Sequence, residues 1–133
     1  MNKANTEKLF RDFPALYRGR TKPTTESGMN CGFLCDDGWF DLLYTLSADI
    51  IHLCQAEGLP VPEVMQVKQK LGLLRYYVRP RISDERIRIF IRRAEDRSGS
   101  VCECCGQPGT LRRSQRGAST LCDRCTQNSS ART

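Results

Sequence analysis

The sequence contains one histidine, His52, and lacks the short motifs that mark common catalytic sites. Nucleophilic catalysis needs a base within hydrogen-bond reach of the nucleophile, and the chain has neither a G-x-S-x-G motif nor a glycine-rich phosphate loop. The sequence therefore lacks the residues that serine hydrolases, P-loop enzymes and histidine-ligated metalloenzymes use. We expect that this chain is not an enzyme.

The sequence also lacks a long apolar run. No uncharged stretch approaches the roughly 20 residues that a membrane-spanning helix needs, and no basic segment followed by an apolar run suggests a secretion signal. We therefore expect no membrane partner and a cytoplasmic location. A chain of 133 residues can bury one modest core, with room for a small appended module.

Charge is unevenly distributed along the chain. Residues 1–67 carry six Lys or Arg against nine Asp or Glu, whereas residues 68–133 carry fifteen against six. A basic second half favours an acidic partner, either nucleic acid or an acidic protein surface. The residues that we expect to form a basic binding face are Lys68, Lys70, Arg75, Tyr77, Arg79, Arg86, Arg93, Arg97, Arg112, Arg113 and Arg116. A solvated surface with intramolecular ion pairs is the alternative interpretation.

Eight cysteines are present, and four of them have the spacing of metal ligands. Two C-x2-C pairs, separated by a sixteen-residue spacer, predict a closed tetrahedral site for one structural Zn²⁺. The predicted ligands are Cys102, Cys105, Cys122 and Cys125. Two short strands in the spacer, 110–113 and 119–121, would make the segment a zinc ribbon. Four thiolates have no open coordination position, so the metal should stabilise the fold rather than activate water.

The sequence leaves open other roles for the cysteines and for a group of acidic residues. Four thiols could also hold an iron–sulfur cluster or act as a redox dithiol, and Cys104 could replace a neighbouring ligand. A second site could combine Cys31 and Cys35 with His52 and Cys54. Helix geometry disfavours it, because residues two apart point to different faces. The acidic residues Asp36, Asp37 and Asp41 are better explained as a helix start than as metal ligands.

Apolar periodicity outlines a core around two clear helices. One helix should run from Asp36 or Asp37 to Glu57, ended by Gly58, with an apolar stripe from Trp39 to Cys54. Two β-rich runs, 64–68 and 71–78, predict a hairpin. Ser83 should cap a further helix, with Ile82 packing against it as a hydrophobic staple.

The predicted fold class is α+β, with two to three helices packed on a β-hairpin and a C-terminal four-cysteine zinc-ribbon module. The predicted organisation, in chain order, is an N-terminal helix and linker (1–30), an α+β core (31–98), a zinc ribbon (99–126) and a disordered tail (127–133).

Three motifs follow one another along the chain: Asp37-Gly38-Trp39, the segment 66–77, and the ribbon with Cys102-Glu103-Cys104-Cys105-Gly106. In this order they resemble a group of small uncharacterised zinc-ribbon proteins of tailed bacteriophages and prophages, over about residues 31–126. The chain departs from that pattern at Asp36, where glycine is usual, and at Leu71, where an aromatic is usual. The resemblance implies a phage origin, the zinc ribbon and residence in the host cytoplasm, but no activity.

Three functions remain open on this basis. By analogy with small accessory phage proteins, we expect a factor that binds host or defence machinery, with a host protein or nucleoprotein complex as partner. The alternative is a zinc-ribbon nucleic-acid-binding or transcription-related protein. The third candidate function is an enzyme, but the sequence contains no identifiable catalytic group for it.

Overall fold

The computed structural model describes residues 1–81 and 84–131, the side chains of 129–131 excepted. Its helices and strands, in chain order, are α1 (Lys3–Asp12), β1 (Phe33–Leu34), α2 (Phe40–Glu57), β2 (Glu63–Lys70), β3 (Leu73–Arg79), α3 (Glu85–Ser98), β4 (Thr110–Ser114), β5 (Gly117–Leu121) and α4 (Asp123–Ala131). The predicted α+β class with a zinc-ribbon arrangement is confirmed. Within the described residues, no helix is both long and apolar enough to cross a membrane.

Helix α2 is the centre of the core, as its apolar stripe predicts. Trp39, just before the helix, is fully buried, and the buried stripe continues along α2 to Cys54. Gly58 ends the helix in the left-handed conformation at φ 63°, as expected for a glycine C-cap. The predicted capping by Asp36 or Asp37 is wrong. Asp37 instead accepts hydrogen bonds from the backbone N–H of Asn2 and the side chain of Asn5, so it holds the start of α1.

Residues 1–30, predicted as an N-terminal helix and linker, contribute buried side chains to the core. Helix α1 begins after an Asn2 cap, and the segment beyond it contributes Leu16, Tyr17 and Met29, all fully buried. Short 3-10 turns at 18–21 and 29–31 give the polar stretch a defined path across the sheet. The turn-forming composition of residues 18–30 did not indicate that Met29 would be buried.

The sheet has three strands in the order β1-β2-β3, one more than the predicted hairpin. Strand β1 pairs in parallel with β2, with Phe33 opposite Val67, and its two-residue length gave no sequence signal. Val67 and Tyr76 are opposite each other and buried, whereas Lys68 and Arg75 are opposite each other on the other face. One sheet face therefore packs on the helices, and the other carries polar side chains.

Helix α3 covers the open edge of the sheet. The backbone N–H groups of Leu74 and Tyr76, on edge strand β3, donate to Ser98 Oγ at 2.9 Å and Glu95 Oε2 at 3.0 Å. The N-cap of α3 is Asp84, which accepts from the Arg86 N–H. The predicted cap and staple, Ser83 and Ile82, lie outside the described residues.

Replacing Leu71 by asparagine should stabilise the chain. Leu71 and Gly72 form a two-residue hairpin turn with φ angles of 56° and 86°, and Leu71 is 68% exposed. Both angles suit the Asn-Gly sequence of a type I′ turn, whereas a bulky side chain at positive φ is strained. The free energy of unfolding of L71N, measured by denaturant titration, should exceed that of the parent by about 0.5–1 kcal/mol. An equal or lower value would contradict the turn assignment.

A buried tyrosine pair should make the fold sensitive to alkaline pH. The Tyr17 hydroxyl lies 2.7 Å from Ser47 Oγ and 2.9 Å from the Tyr76 hydroxyl. Burial raises the pKa of Tyr17 to about 12 and that of Tyr76 well above its ordinary value. Between pH 10 and pH 12 the unfolded chain loses these protons while the folded chain keeps them. The folded state therefore binds more protons, and stability falls as pH rises.

Denaturant titration across this range should show a loss of about 1.4 kcal/mol per pH unit for each tyrosine. The variant Tyr17→Phe/Tyr76→Phe should lose less stability over the same range, although it starts from a lower value. Tyr77→Phe, at an exposed position, serves as the control and should keep the parent slope. Identical slopes in all three proteins would refute the assignment.

The C-terminal segment folds as a two-stranded ribbon followed by a helix. Strands β4 and β5 pair from Thr110 opposite Leu121 to Ser114 opposite Gly117, so the predicted turn is shorter than expected. Helix α4 continues to Ala131, where a disordered tail from residue 127 was predicted. Within that tail, 132 and 133 lie outside the described residues. Helix α4 begins at Asp123, within the second cysteine pair. The composition of the tail alone does not indicate that a helix continues into it.

Candidate metal centre

Four cysteine sulfurs from the two ends of the ribbon converge on one point. The Sγ atoms of Cys102, Cys105, Cys122 and Cys125 all lie within 4.8 Å of one another, and those of Cys105 and Cys122 are 3.6 Å apart. Tetrahedral coordination with Zn–S bonds of about 2.3 Å places sulfurs about 3.8 Å apart. These four residues could hold a metal ion, and the spacing suits a tetrahedral one.

Each cysteine pair lies in a turn that is held by hydrogen bonds between residues close together in the sequence. In the first turn, the Gly106 N–H donates to the Cys102 carbonyl at 2.9 Å, and Gly106 has φ 82°, which glycine adopts without strain. In the second turn, the Cys125 N–H points to Cys122 Sγ at 3.4 Å as α4 begins. A backbone N–H directed at sulfur, as in the second turn, favours the thiolate form that a metal ligand needs.

The electrostatics of the cluster call for a cation. Burial opposes ionisation of Cys102, but backbone hydrogen bonds from Cys105, Cys122 and Cys104 outweigh it and lower its pKa to about 7. The pKa of Cys125 is raised, chiefly by its hydrogen bond with Cys122 and then by burial. The Cys102 thiolate therefore forms easily, whereas the Cys125 thiol resists ionisation. A divalent ion removes this conflict, so the donor set fits a metal.

Cys104 lies outside the cluster although it is between two members of it. The first turn directs the sulfurs of Cys102 and Cys105 inward, and Cys104 is exposed. The structure does not bring together the alternative set of Cys31, Cys35, His52 and Cys54. Among the described residues, the four ribbon cysteines are the group that could hold a metal ion. Burial raises the pKa of Cys35 to about 12, as expected for an unreactive core thiol.

The first cysteine turn, residues 102–106, is here named the metal-binding turn after its two candidate ligands. The loop that precedes α2 fastens it to the core. The Gly38 N–H donates to the Glu103 carbonyl at 2.7 Å, and Trp39 Nε1 donates to the Val101 carbonyl at 2.9 Å. The Glu103 carboxylate is buried and accepts from the Asp36 N–H at 3.1 Å. A Cβ on Gly38 would overlap the carbonyl oxygens of Cys102 and Glu103. Glycine is therefore required here by close approach of two backbones.

The hairpin tip makes a second joint with the ribbon. Thr120, fully buried on β5, donates from Oγ1 to the Gly72 carbonyl at 2.8 Å. Gln69 Nε2 donates to the Ala118 carbonyl at 3.3 Å, and a Cβ on Gly72 would overlap the Leu111 side chain. The three motifs noted in the sequence thus meet at one junction around the metal-binding turn. Their spacing along the chain predicted the cysteine site but not this contact.

The predicted basic residues fall into separate groups. Lys68, Lys70, Arg75 and Tyr77 lie on the polar sheet face, where Lys68 Nζ is 5.9 Å from the centroid of the Tyr77 ring. Arg79 lies at the end of that face, and its guanidinium is 4.0 Å from the buried carboxylate of Glu63.

The remaining basic residues lie on α3 and on the ribbon. Arg86 forms ion pairs with Asp84 and Glu57, at 3.0 and 3.2 Å. Arg93 and Arg97 border a groove between α2 and α3. On the ribbon, Arg112 bonds to Asp123 at 2.6 Å and to the Leu121 carbonyl, whereas Arg113 and Arg116 are exposed.

Comparisons with known proteins found no match, whether to a protein-family model, to a curated sequence or to a solved structure.

Proposed function

We propose that the metal is one structural Zn²⁺, held by Cys102, Cys105, Cys122 and Cys125. The ribbon arrangement and the approach of the four sulfurs support zinc over an iron–sulfur cluster, because a single tetrahedral ion accounts for a spread within 4.8 Å. All four coordination positions are taken by thiolates, so the ion stabilises the junction and does not act in catalysis.

We further propose that the chain is a phage-encoded accessory protein that binds host or defence machinery. The motif resemblance supports the phage origin, and the absence of a catalytic arrangement in the sequence supports binding rather than catalysis. The binding surface is the sheet patch, defined as Leu34, Lys68, Arg75 and Tyr77. An acidic surface of a host protein is the proposed partner.

The observation that carries this proposal is an exposed apolar and cationic sheet face. Leu34 is 46% and Tyr77 42% exposed, and Lys68 and Arg75 are opposite each other between them. Leu34 pairs with Lys68 across the β1–β2 ladder, so the four side chains adjoin. Aromatic and cationic groups together are enriched at the centres of protein interfaces. The rest of the polar face is partly covered by the segment that carries Lys22, which binds Glu63 at 3.0 Å.

A second candidate is single-stranded nucleic-acid binding, and Tyr77 favours it specifically. An exposed ring beside Lys68 and Arg75 offers stacking for a base together with cations for the flanking phosphates. This function predicts a strong dependence of affinity on salt. Both candidates use the same sheet residues, so the identity of the partner distinguishes them.

One pair of experiments tests both candidates. Binding of a mixed-sequence single-stranded DNA is measured by fluorescence anisotropy over a salt series, and retention of host proteins from nuclease-treated lysate is measured in parallel. The test variant is Lys68→Gln/Arg75→Gln, and the control is Arg88→Gln/Arg92→Gln on exposed positions of α3. For DNA, the test variant should reduce the slope of log K against log salt by about 1.4, and the control should bind as the parent does.

A specific host protein that survives nuclease and is lost only in the test variant supports the first candidate. Salt-sensitive DNA binding that also falls in Tyr77→Leu supports the second. If the test variant and the control behave alike in both measurements, the sheet patch is not the binding surface.

A further inference from the structure

A groove of about 410 Å³ lies between α2 and α3 and reaches the metal-binding turn. Leu42, Leu46 and Ala94 contribute apolar surface, and Gly38 and Gly106, the second of which follows Cys105, also line the groove. Its volume falls within the range of small-molecule sites. The groove is separate from the sheet patch, because none of the patch residues lines it.

One wall of the groove is basic and aromatic. Phe90, Arg93 and Arg97 are three and four residues apart on α3 and therefore share one helix face. Among residues 1–81 and 84–131, neither Arg93 nor Arg97 has an ion-pair or hydrogen-bond partner for its guanidinium. Two like charges one helical turn apart repel each other, and a bound anion would relieve that repulsion. Guanidinium groups suit phosphate because they can donate two parallel hydrogen bonds.

The opposite wall is acidic and polar. Asp41, Thr45 and Asp49 follow one another at four-residue intervals on α2, and all three line the groove. The carboxylates of Asp41 and Asp49 are also without an ion-pair partner among the described residues. Carboxylates accept hydrogen bonds from hydroxyl and amino groups, whereas they repel phosphate. A ligand that suits both walls must carry an anion at one side and hydrogen-bond donors at the other.

We propose that this groove binds a nucleoside monophosphate. Arg93 and Arg97 hold the phosphate, Phe90 offers its ring to the base, and Asp41, Thr45 and Asp49 bond to ribose hydroxyls and exocyclic amino groups. A nucleoside monophosphate combines a dianionic phosphate, a planar base and hydrogen-bond donors in one small molecule. Its size suits a groove of about 410 Å³. Because Gly106 of the metal-binding turn lines the groove, we expect ligand binding to require an intact metal centre.

The test is isothermal titration of the metal-loaded protein with adenosine 5′-monophosphate, adenosine and inorganic phosphate as separate probes. The monophosphate should bind more tightly than either fragment. Arg93→Gln/Arg97→Gln should weaken monophosphate binding by about tenfold or more, through loss of charge-assisted hydrogen bonds. Phe90→Leu should weaken the monophosphate by about tenfold without weakening phosphate itself.

Two variants serve as controls. Arg88→Gln/Arg92→Gln changes charge equally on the same helix but outside the groove, and Lys68→Gln/Arg75→Gln removes the cations of the sheet patch. Both should bind the monophosphate as the parent does, with unchanged metal content and circular dichroism. The proposal is overturned if no probe binds at millimolar concentration. It is equally overturned if Arg93→Gln/Arg97→Gln binds as the parent does, or if either control loses binding to the same extent.

Discussion

Replacing Cys105 by serine is expected to destabilise the whole chain rather than the ribbon alone. Loss of one thiolate removes most of the metal-binding free energy, which at such sites is folding free energy. The metal-binding turn is joined to the core through Trp39, Gly38 and Glu103, so its unfolding also leaves core groups without partners. The free energy of unfolding should fall by about 3 kcal/mol or more.

The measurement is denaturant unfolding followed by the fluorescence of Trp39, the single tryptophan, which is fully buried beside the junction. Cys104→Ser is a closely matched control, because Cys104 is the adjacent residue, is likewise exposed, and lies outside the sulfur cluster. It should keep the parent metal content and stability. If the two serine variants unfold alike, the ligand assignment is wrong.

Replacing Gly38 by alanine should separate docking of the ribbon from metal binding. The added Cβ would overlap two backbone carbonyl oxygens, at Cys102 and Glu103, and backbone cannot move aside as a flexible side chain can. We expect a loss of about 3 kcal/mol or more in the free energy of unfolding, of the order seen for overpacked sites or larger. All four sulfur ligands remain in this variant. The folded protein should therefore keep its metal although its free energy of unfolding is lower.

The control for Gly38→Ala is Gly58→Ala. A Cβ at Gly58 would have no atom within 4 Å, so the only cost of this substitution is local backbone strain at φ 63°. That cost is about 1 kcal/mol. The two alanine variants are compared by denaturant unfolding and by metal analysis. Equal losses in the two variants would show that the loop before α2 does not fasten the ribbon.

The parts of the fold that follow from local patterns were predictable from the sequence. The stripe from Trp39 to Cys54 gave helix α2, Gly58 gave its end, and the cysteine spacing gave the set of four sulfurs that the structure brings together. Each of these depends on residues a few positions apart or on a ligand chemistry with a fixed spacing.

The parts that depend on contacts between distant segments were not predictable. Residues 18–30 were expected to form a linker after an N-terminal helix, but Met29 within them is fully buried in the core. Asp37 was expected to cap its own helix and instead holds the start of α1. The groove between α2 and α3 escaped prediction because Asp49 and Arg93 become neighbours of one cavity only through tertiary packing.

The most direct test of the account is native mass spectrometry of the purified chain, before and after addition of a chelator, with Trp39 fluorescence recorded on the same samples. The chain is expected to carry one zinc ion, and removal of this ion is expected to expose Trp39. A chain that carries no zinc, that carries iron and sulfide instead, or that keeps Trp39 buried after losing its zinc would contradict it.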